Sequence, residues 1–154
     1  MITLEQGDLL AADAEALVNA VNTVGIMGKG IALQFKHAFP ENFRTYAGAC
    51  RSGEMRLGRV LVTETGAAAN PRYIVNFPTK RHWRSRSRLE DVRSGLCDLR
   101  SVVVARRISS VAVPPLGCGQ GGLAWADVQP LIEAAFADLD AVHAMVFPPG
   151  DVSR

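Results

Sequence analysis

Cysteine, histidine and aromatic residues are scarce in this sequence. Its 154 residues hold three cysteines, Cys50, Cys97 and Cys118. The number is odd and no C-x-x-C spacing occurs, which argues against a disulfide framework or a thiolate metal site and leads to the expectation of a reducing, cytoplasmic setting. His37, His82 and His143 stand apart, without H-x-x-x-H or H-x-x-E-H spacing, so neither a metal nor a cofactor is expected. No apolar run approaches the ~18 residues of a membrane span. The opening MITLEQGDLL has no basic segment followed by an apolar one, so neither export nor a membrane partner is expected. An excess of one charge is missing too, with 17 Lys and Arg against 15 Asp and Glu and a formal net charge of +2.

What is present fits a single globular domain over residues 1–154. The chain is 48% hydrophobic and 21% charged, and at this length it can bury about 70% of its unfolded surface without staples. The bland net charge conceals a segregation. Residues 80 to 88 read KRHWRSRSR, with Lys80, Arg81, Arg84, Arg86 and Arg88 and no acid. Taking these five from the 17 cations leaves 12 against 15 acids, so the body is mildly acidic and carries one basic strip.

Along the chain, Ile2 and Leu4 alternate with polar neighbours before Gly7-Asp8, the pattern of a first strand closed by a turn. Ala16 to Asn22 is a buried-strand run feeding the loop TVGIMGKG. From Gly30 the spacing of Ala32, Phe35 and Phe39 is helical; Pro40 ends or kinks that helix ahead of a second near 42–51. Strands are expected over 59–65 and 72–77, with GAAANP as the turn between them. Leu89, Val92, Leu96, Leu99 and Val103 mark an amphipathic helix of roughly 18 residues. A strand over 110–114 runs into PPLGCGQGGL, Trp125 to Leu139 repeats at helical spacing, and 142–147 reads as a last strand before a fraying PPGDVSR. Strands alternating with helices predict an α/β fold with helices on both faces of a mixed sheet.

Two glycine loops each follow a predicted strand and precede a predicted helix: Gly25, Gly28 and Gly30 in the first, Gly117, Gly119, Gly121 and Gly122 in the second. Glycine lets backbone N–H groups approach a ligand, and a helix N-terminus adds its dipole, so a pair of such loops suits a diphosphate; read singly, each is equally a tight strand-to-helix turn. Neither has the spacing of a P-loop or a dinucleotide fingerprint. Asp8, at a strand end, is placed to accept from an exocyclic amine such as adenine's, or to cap a turn. The amides of Asn19 and Asn22 suit ribose hydroxyls or turn closure. Lys80 is expected just past a strand, on the turn Pro78-Thr79, crowded by Arg81, His82 and Arg84. Neighbouring cations favour its neutral amine, a nucleophile toward an anomeric carbon, although a solvated basic turn reads the same way. The strip, with Trp83 among arginines, resembles a surface for single-stranded nucleic acid, where cations track phosphates and an aromatic ring stacks a base. The bland reading is a solubilising helix start.

GDLL, NAVNTVGIMGKGIALQF and PPLGCGQGGLAW, taken together and in this order, resemble the macrodomain family. MGKGIA and PTKRHW are most similar to the branch that holds the terminal ADP-ribose protein glycohydrolase and the DarG antitoxins. The resemblance implies a three-layer α/β/α sandwich and removal of ADP-ribose from thymidine bases of DNA. It also implies ADP-ribose and ADP-ribosylated single-stranded DNA as partners, with the cognate ADP-ribosyltransferase toxin as a further one. It assigns Asp8 and Leu9 to the adenine, Asn22 to the distal ribose, and Phe147 to adenine stacking. Gly28, Lys29, Gly30, Ile31 and Ala32 become the first phosphate loop; Gly117, Cys118, Gly119, Gln120, Gly121, Gly122 and Leu123 become the second. Thr79 joins the ligand site, Lys80 matches the catalytic lysine, His82 is a secondary candidate for proton transfer, and Arg81, His82, Trp83, Arg84 and Arg86 form the nucleic-acid surface. The protein-directed relative has an assisting aspartate in the second loop where this sequence has Gly121. A binding-only reader and a protein-directed hydrolase remain the alternatives, with a phosphatase acting on ADP-ribose 1″-phosphate ranked last.

Overall fold

The computed structural model describes residues 1–150; residues 151–154 of the expected fraying tail lie outside them. Six strands, β1 (Ile2–Leu4), β2 (Ala16–Asn22), β3 (Leu61–Glu64), β4 (Tyr73–Lys80), β5 (Ser110–Val113) and β6 (His143–Val146), form one sheet in the order β1-β6-β5-β2-β4-β3. Neighbours pair in parallel except β3, which runs antiparallel to β4. The helices are α1 (Gly30–Ala38), α2 (Pro40–Ser52), α3 (Leu89–Ala105) and α4 (Trp125–Phe136). The result is a three-layer α/β/α sandwich.

Strand alternation sorts the core into its two halves. Val18, Val75, Phe77, Val111 and Val113 meet Val92, Leu96, Leu99 and Val103 of α3 and Val128, Ile132 and Phe136 of α4. On the other face, Leu17, Ile74 and Ala112 meet Phe35 of α1, and Val21 packs with Tyr46 and Ala49 of α2. β2 is buried on both faces, which is why its sequence is a continuous apolar run rather than an alternating one. Pro40 occupies the first turn of α2, where its missing N–H costs nothing, so that helix begins two residues earlier than expected.

One difference from the sequence expectation matters for function. β4 continues through Pro78 and Thr79 to Lys80, where a turn is expected. β3 covers only Tyr73 to Asn76, so beyond Asn76 that edge of β4 is open, and a bulge between Val21 and Asn22 relaxes the pairing on the other side. Both conditions tolerate a proline inside a strand. Lys80 is therefore held by the sheet, opposite Asn22.

The fit of α3 on β4 depends on Gly95. A Cβ there would stand 2.3 Å from Cζ of the fully buried Phe77. Gly95→Ala should lower stability by roughly 1–3 kcal/mol through overpacking, although alanine is the better helix former. Urea unfolding measures this. Part of the loss should return when Gly95→Ala is combined with Phe77→Leu, and a single variant more stable than the parent would contradict the packing account.

Candidate functional site

The chain leaves β2 toward α1 on one face of the sheet and leaves the adjacent β5 toward α4 on the other. A crevice must open between the two departing loops at the carboxyl edge. A cavity of about 480 Å³ lies there. Its wall takes Asn22 from the end of β2, Gly28, Lys29, Gly30, Ile31 and Ala32 from the first loop and helix, Thr79 and Lys80 from the end of β4, Trp83 just beyond it, and Gly117, Cys118, Gly119, Gln120 and Gly121 from the second loop. An adjoining cavity of about 510 Å³ holds Asp8, Leu9 and Phe147 and shares Ile31, Pro114 and Pro115 with the first, so the two make one elongated cleft. Pro114 and Pro115, which line both cavities, belong to the motif PPLGCGQGGLAW, although the sequence does not single them out as ligand residues.

The first loop is organised by Asn22. Its Oδ1 accepts from Val24 N (3.1 Å), Ile26 N (3.3 Å) and the Tyr46 hydroxyl (2.8 Å), and its Nδ2 donates to the Ile26 carbonyl (2.8 Å). These bonds close the turn, one of the two readings the sequence left open for this amide, and use one of its two Nδ2 hydrogens. Tyr46, unforeseen in the sequence, is fully buried. Burial pushes its phenol far above the ordinary tyrosine value, and the neighbouring Cys50 adds to the shift, so it remains a donor to Asn22. Lys29 caps α1 without a side-chain hydrogen bond. The first N–H groups of that helix have no intrahelical partner and face a wall whose described residues include no Asp or Glu.

The second loop closes on itself, with Leu123 N donating to the Gly117 carbonyl (3.0 Å) and Gly122 N to the Gly119 carbonyl (3.1 Å). Gly117 has a φ of +75° and no room for a side chain, because Leu123 Cδ1 would lie 2.6 Å from a Cβ there. Leu123 thus props the loop from behind, and neither it nor Gly122 lines the cleft.

Lys80 Nζ donates to the Trp83 carbonyl (3.0 Å). Its pKa lies below the ordinary lysine value, first because it is partly buried and second because Lys29 is near. The direction agrees with the sequence expectation and the cause does not: Arg81, His82 and Arg84 are exposed, and Lys29 supplies the repelling charge. His82 Nδ1 accepts from Arg84 N (3.1 Å) and its ring stands outside the cavity wall, which removes the geometric support for a role in proton transfer. The Arg84 guanidinium stacks on the Trp83 ring at 4.4 Å. Arg88 pairs with Glu90 and Asp91 at the start of α3, so the basic strip is one cation shorter than its sequence suggests.

Two other expectations change. Asn19 is fully buried beneath α1 and α2, away from the cleft, because strand alternation turns it to the same face as Leu17 and Val21. Its Nδ2 contacts Asn76 Oδ1 at 3.5 Å, beside the reciprocal pair Asn42 and Asn76 (2.8 and 3.0 Å). Asp8 accepts from Leu10 N (3.0 Å), capping the turn Leu9–Ala11 as an ordinary turn aspartate does, while lying at the rim of the second cavity.

The macro domain family model matches residues 18–132, and the chain belongs to that family. Within it, the chain is similar to the DNA ADP-ribosyl glycohydrolase of Mycobacterium tuberculosis, 53% identical over 154 residues, which cover 100% of this chain and 44% of that protein. The macrodomain of M. tuberculosis DarG superposes with a TM-score of 0.96, covering 97% of this chain and 99% of that one. A DNA ADP-ribosyl transferase-DNA ADP-ribosyl glycohydrolase fusion protein of Thermosipho africanus is 34% identical over 85% of this chain and 38% of its own length. The structure of T. africanus DarTG in complex with ADP-ribose matches with a TM-score of 0.86 at 32% identity, over 96% of this chain and 41% of that one. The chain spans less than half the length of these curated relatives.

The three thiols differ in accessibility. Cys97 is exposed, whereas burial pushes the thiols of Cys50 and Cys118 above the ordinary cysteine value. Thiolate is the reactive form, so at pH 7.5 iodoacetamide should label Cys97 first and Cys118, in the cleft wall, more slowly. Peptide mass spectrometry over time resolves the order, and faster labelling of Cys118 would show its thiol to be activated.

Proposed function

We propose that the chain is an ADP-ribosyl glycohydrolase that removes ADP-ribose from thymidine bases of DNA and so opposes an ADP-ribosyltransferase toxin. The observation that carries this reading is the position of Lys80. Its amine stands at the carboxyl end of β4, partly withdrawn from water, in a cavity bounded by both glycine loops whose described wall residues include no Asp or Glu. The names of the relatives support the substrate and the toxin partnership.

In this reading Asp8, Leu9 and Phe147 take the adenine end of the cleft, and backbone N–H groups of Gly30, Ile31 and Ala32, with those of the second loop, hold the diphosphate. The distal ribose then lies beside Lys80 and Asn22. The bond cleaved joins the anomeric carbon to the base nitrogen, and Lys80 serves it in one of two forms. As a neutral amine it bonds to the anomeric carbon while the base leaves with the electron pair of the broken bond, and water then frees the sugar from the lysine; as an ammonium it stabilises charge on the departing base while water bonds to the anomeric carbon. Trp83 and Arg84, at the mouth, meet the DNA strand.

Lys80→Ala should abolish release of ADP-ribose from a modified thymidine oligonucleotide while calorimetry still detects ADP-ribose binding. Retained turnover would sink the assignment, and binding without turnover in the parent chain, on DNA and protein substrates alike, would favour a reader. The pH profile separates the two forms of the lysine. A nucleophilic amine requires loss of the proton, so the rate rises with pH with its midpoint below the ordinary lysine value of 10.5; an ammonium gives a rate that falls over the same range.

Arg84 is exposed and outside the cavity wall, so Arg84→Glu should weaken action on modified DNA and reduce the salt slope by about 1, leaving affinity for free ADP-ribose nearly unchanged. Equal loss of both would place Arg84 in the service of the cleft instead.

A further inference from the structure

Residues 81–88 do more than present charge. At one end, the Arg81 carbonyl accepts from Thr23 N (3.1 Å) and Thr23 Oγ1 (2.9 Å), immediately after Asn22 and the start of the first loop. At the other end, Ser87 N donates to the Gly121 carbonyl (2.9 Å), on the second loop. Between them the Trp83 carbonyl accepts from Lys80 Nζ. The segment is a strap tied to both glycine loops and to the lysine that stands between them.

The second loop is bare where the strap lies on it. A Cβ at Gly121 would stand 2.3 Å from Ser87 Oγ and 2.9 Å from Ser87 Cβ; one at Gly122 would stand 2.7 Å from Arg86 Nη2. Separations under 3.0 Å force a shift, and at Gly121 no positive φ accounts for the glycine. What Gly121 provides is a seat. Ser87 is 7% exposed, and its hydroxyl is buried without a hydrogen-bond partner, so its hold on the loop comes from its small size and its backbone N–H.

We propose that Ser87, seated on Gly121, is a positioning residue for Lys80: it clamps the strap to the second loop, so that the loop and the lysine move as one body. The inference rests on the reading that Lys80 meets the sugar. It explains why the second loop carries no side chain at Gly121, since anything larger lifts the strap and takes with it the Trp83 carbonyl that holds the amine.

The test introduces the clash and then removes it. Gly121→Ala should cut turnover of the ADP-ribosylated oligonucleotide by roughly 10–100-fold, the size expected when a reacting group is displaced by about an ångström. It should also shift the Lys80 amine titration, followed by NMR of isotope-labelled lysine, upward toward the ordinary lysine value as the amine becomes more exposed. Ser87→Gly in the Gly121→Ala background vacates the seat and should restore most of both losses. Ser87→Val, which adds bulk from the strap side and leaves the loop sequence intact, should reproduce the Gly121→Ala defect, which covers the case in which the loop variant fails to fold. The proposal is overturned if Gly121→Ala leaves turnover and titration unchanged, or if the double variant is as impaired as the single. The titration is read without turnover, so it reports on the strap even if Lys80→Ala shows the chemical reading to be wrong.

Discussion

The parallel pairing of β2 with β4 is the constraint from which the site follows. Its register carries Ala16 opposite Tyr73 and ends, after one bulge, with Asn22 opposite Lys80. Parallel pairing sends both chain ends off the same edge of the sheet, so Asn22, which organises the first loop, and Lys80 emerge side by side. The register is fixed by burial on both faces, since a slip of one residue would exchange the sides of Leu17 and Val18, each fully buried against a different helical layer. A site built on such strands is placed by the core.

The cleft is also an electrostatic arrangement. Lys29 and Lys80 share a wall whose described residues contain no acid, and the repulsion between them is one cause of the lowered pKa of Lys80. Two amines without counterions are unfavourable in a partly buried pocket unless an anion arrives, and the uncapped N–H groups of α1 favour the same anion. A diphosphate bound near Lys29 would relieve the repulsion and let Lys80 regain its proton more readily. In the proposed reading, an anion bound beside Lys29 would thereby be coupled to the protonation of Lys80.

Much of this was legible in the sequence. The continuous apolar run of β2, the helical spacing from Leu89 to Val103, and the two glycine clusters each depend on local periodicity or on a residue's conformational range, and all reappear in the fold near their expected places. What failed depended on contacts between distant segments. Pro78 and Thr79 read as a turn because a proline usually ends a strand; only the short reach of β3 and the bulge beside Asn22 let β4 continue. Asn19 read as a site residue because it lies near a strand end, and only strand alternation against α1 and α2 shows that it faces the core. Tyr46 gave no signal, since a tyrosine in an amphipathic helix is ordinary until its hydroxyl is seen on Asn22.

The basic strip has a backbone arrangement that its charges do not announce. Its charges are exposed at Arg81 and Arg84, as a surface for an anionic strand requires. Its backbone does separate work, accepting from Thr23 at one end and donating to Gly121 at the other. These roles make different demands. The surface role needs cations and an aromatic ring but tolerates changes of order, whereas the backbone role needs a small residue at position 87 and a bare loop facing it. The acid-free run from Lys80 to Arg88 announces the first demand, and the second is visible only in the pairing of Ser87 with a glycine 34 positions further along the chain.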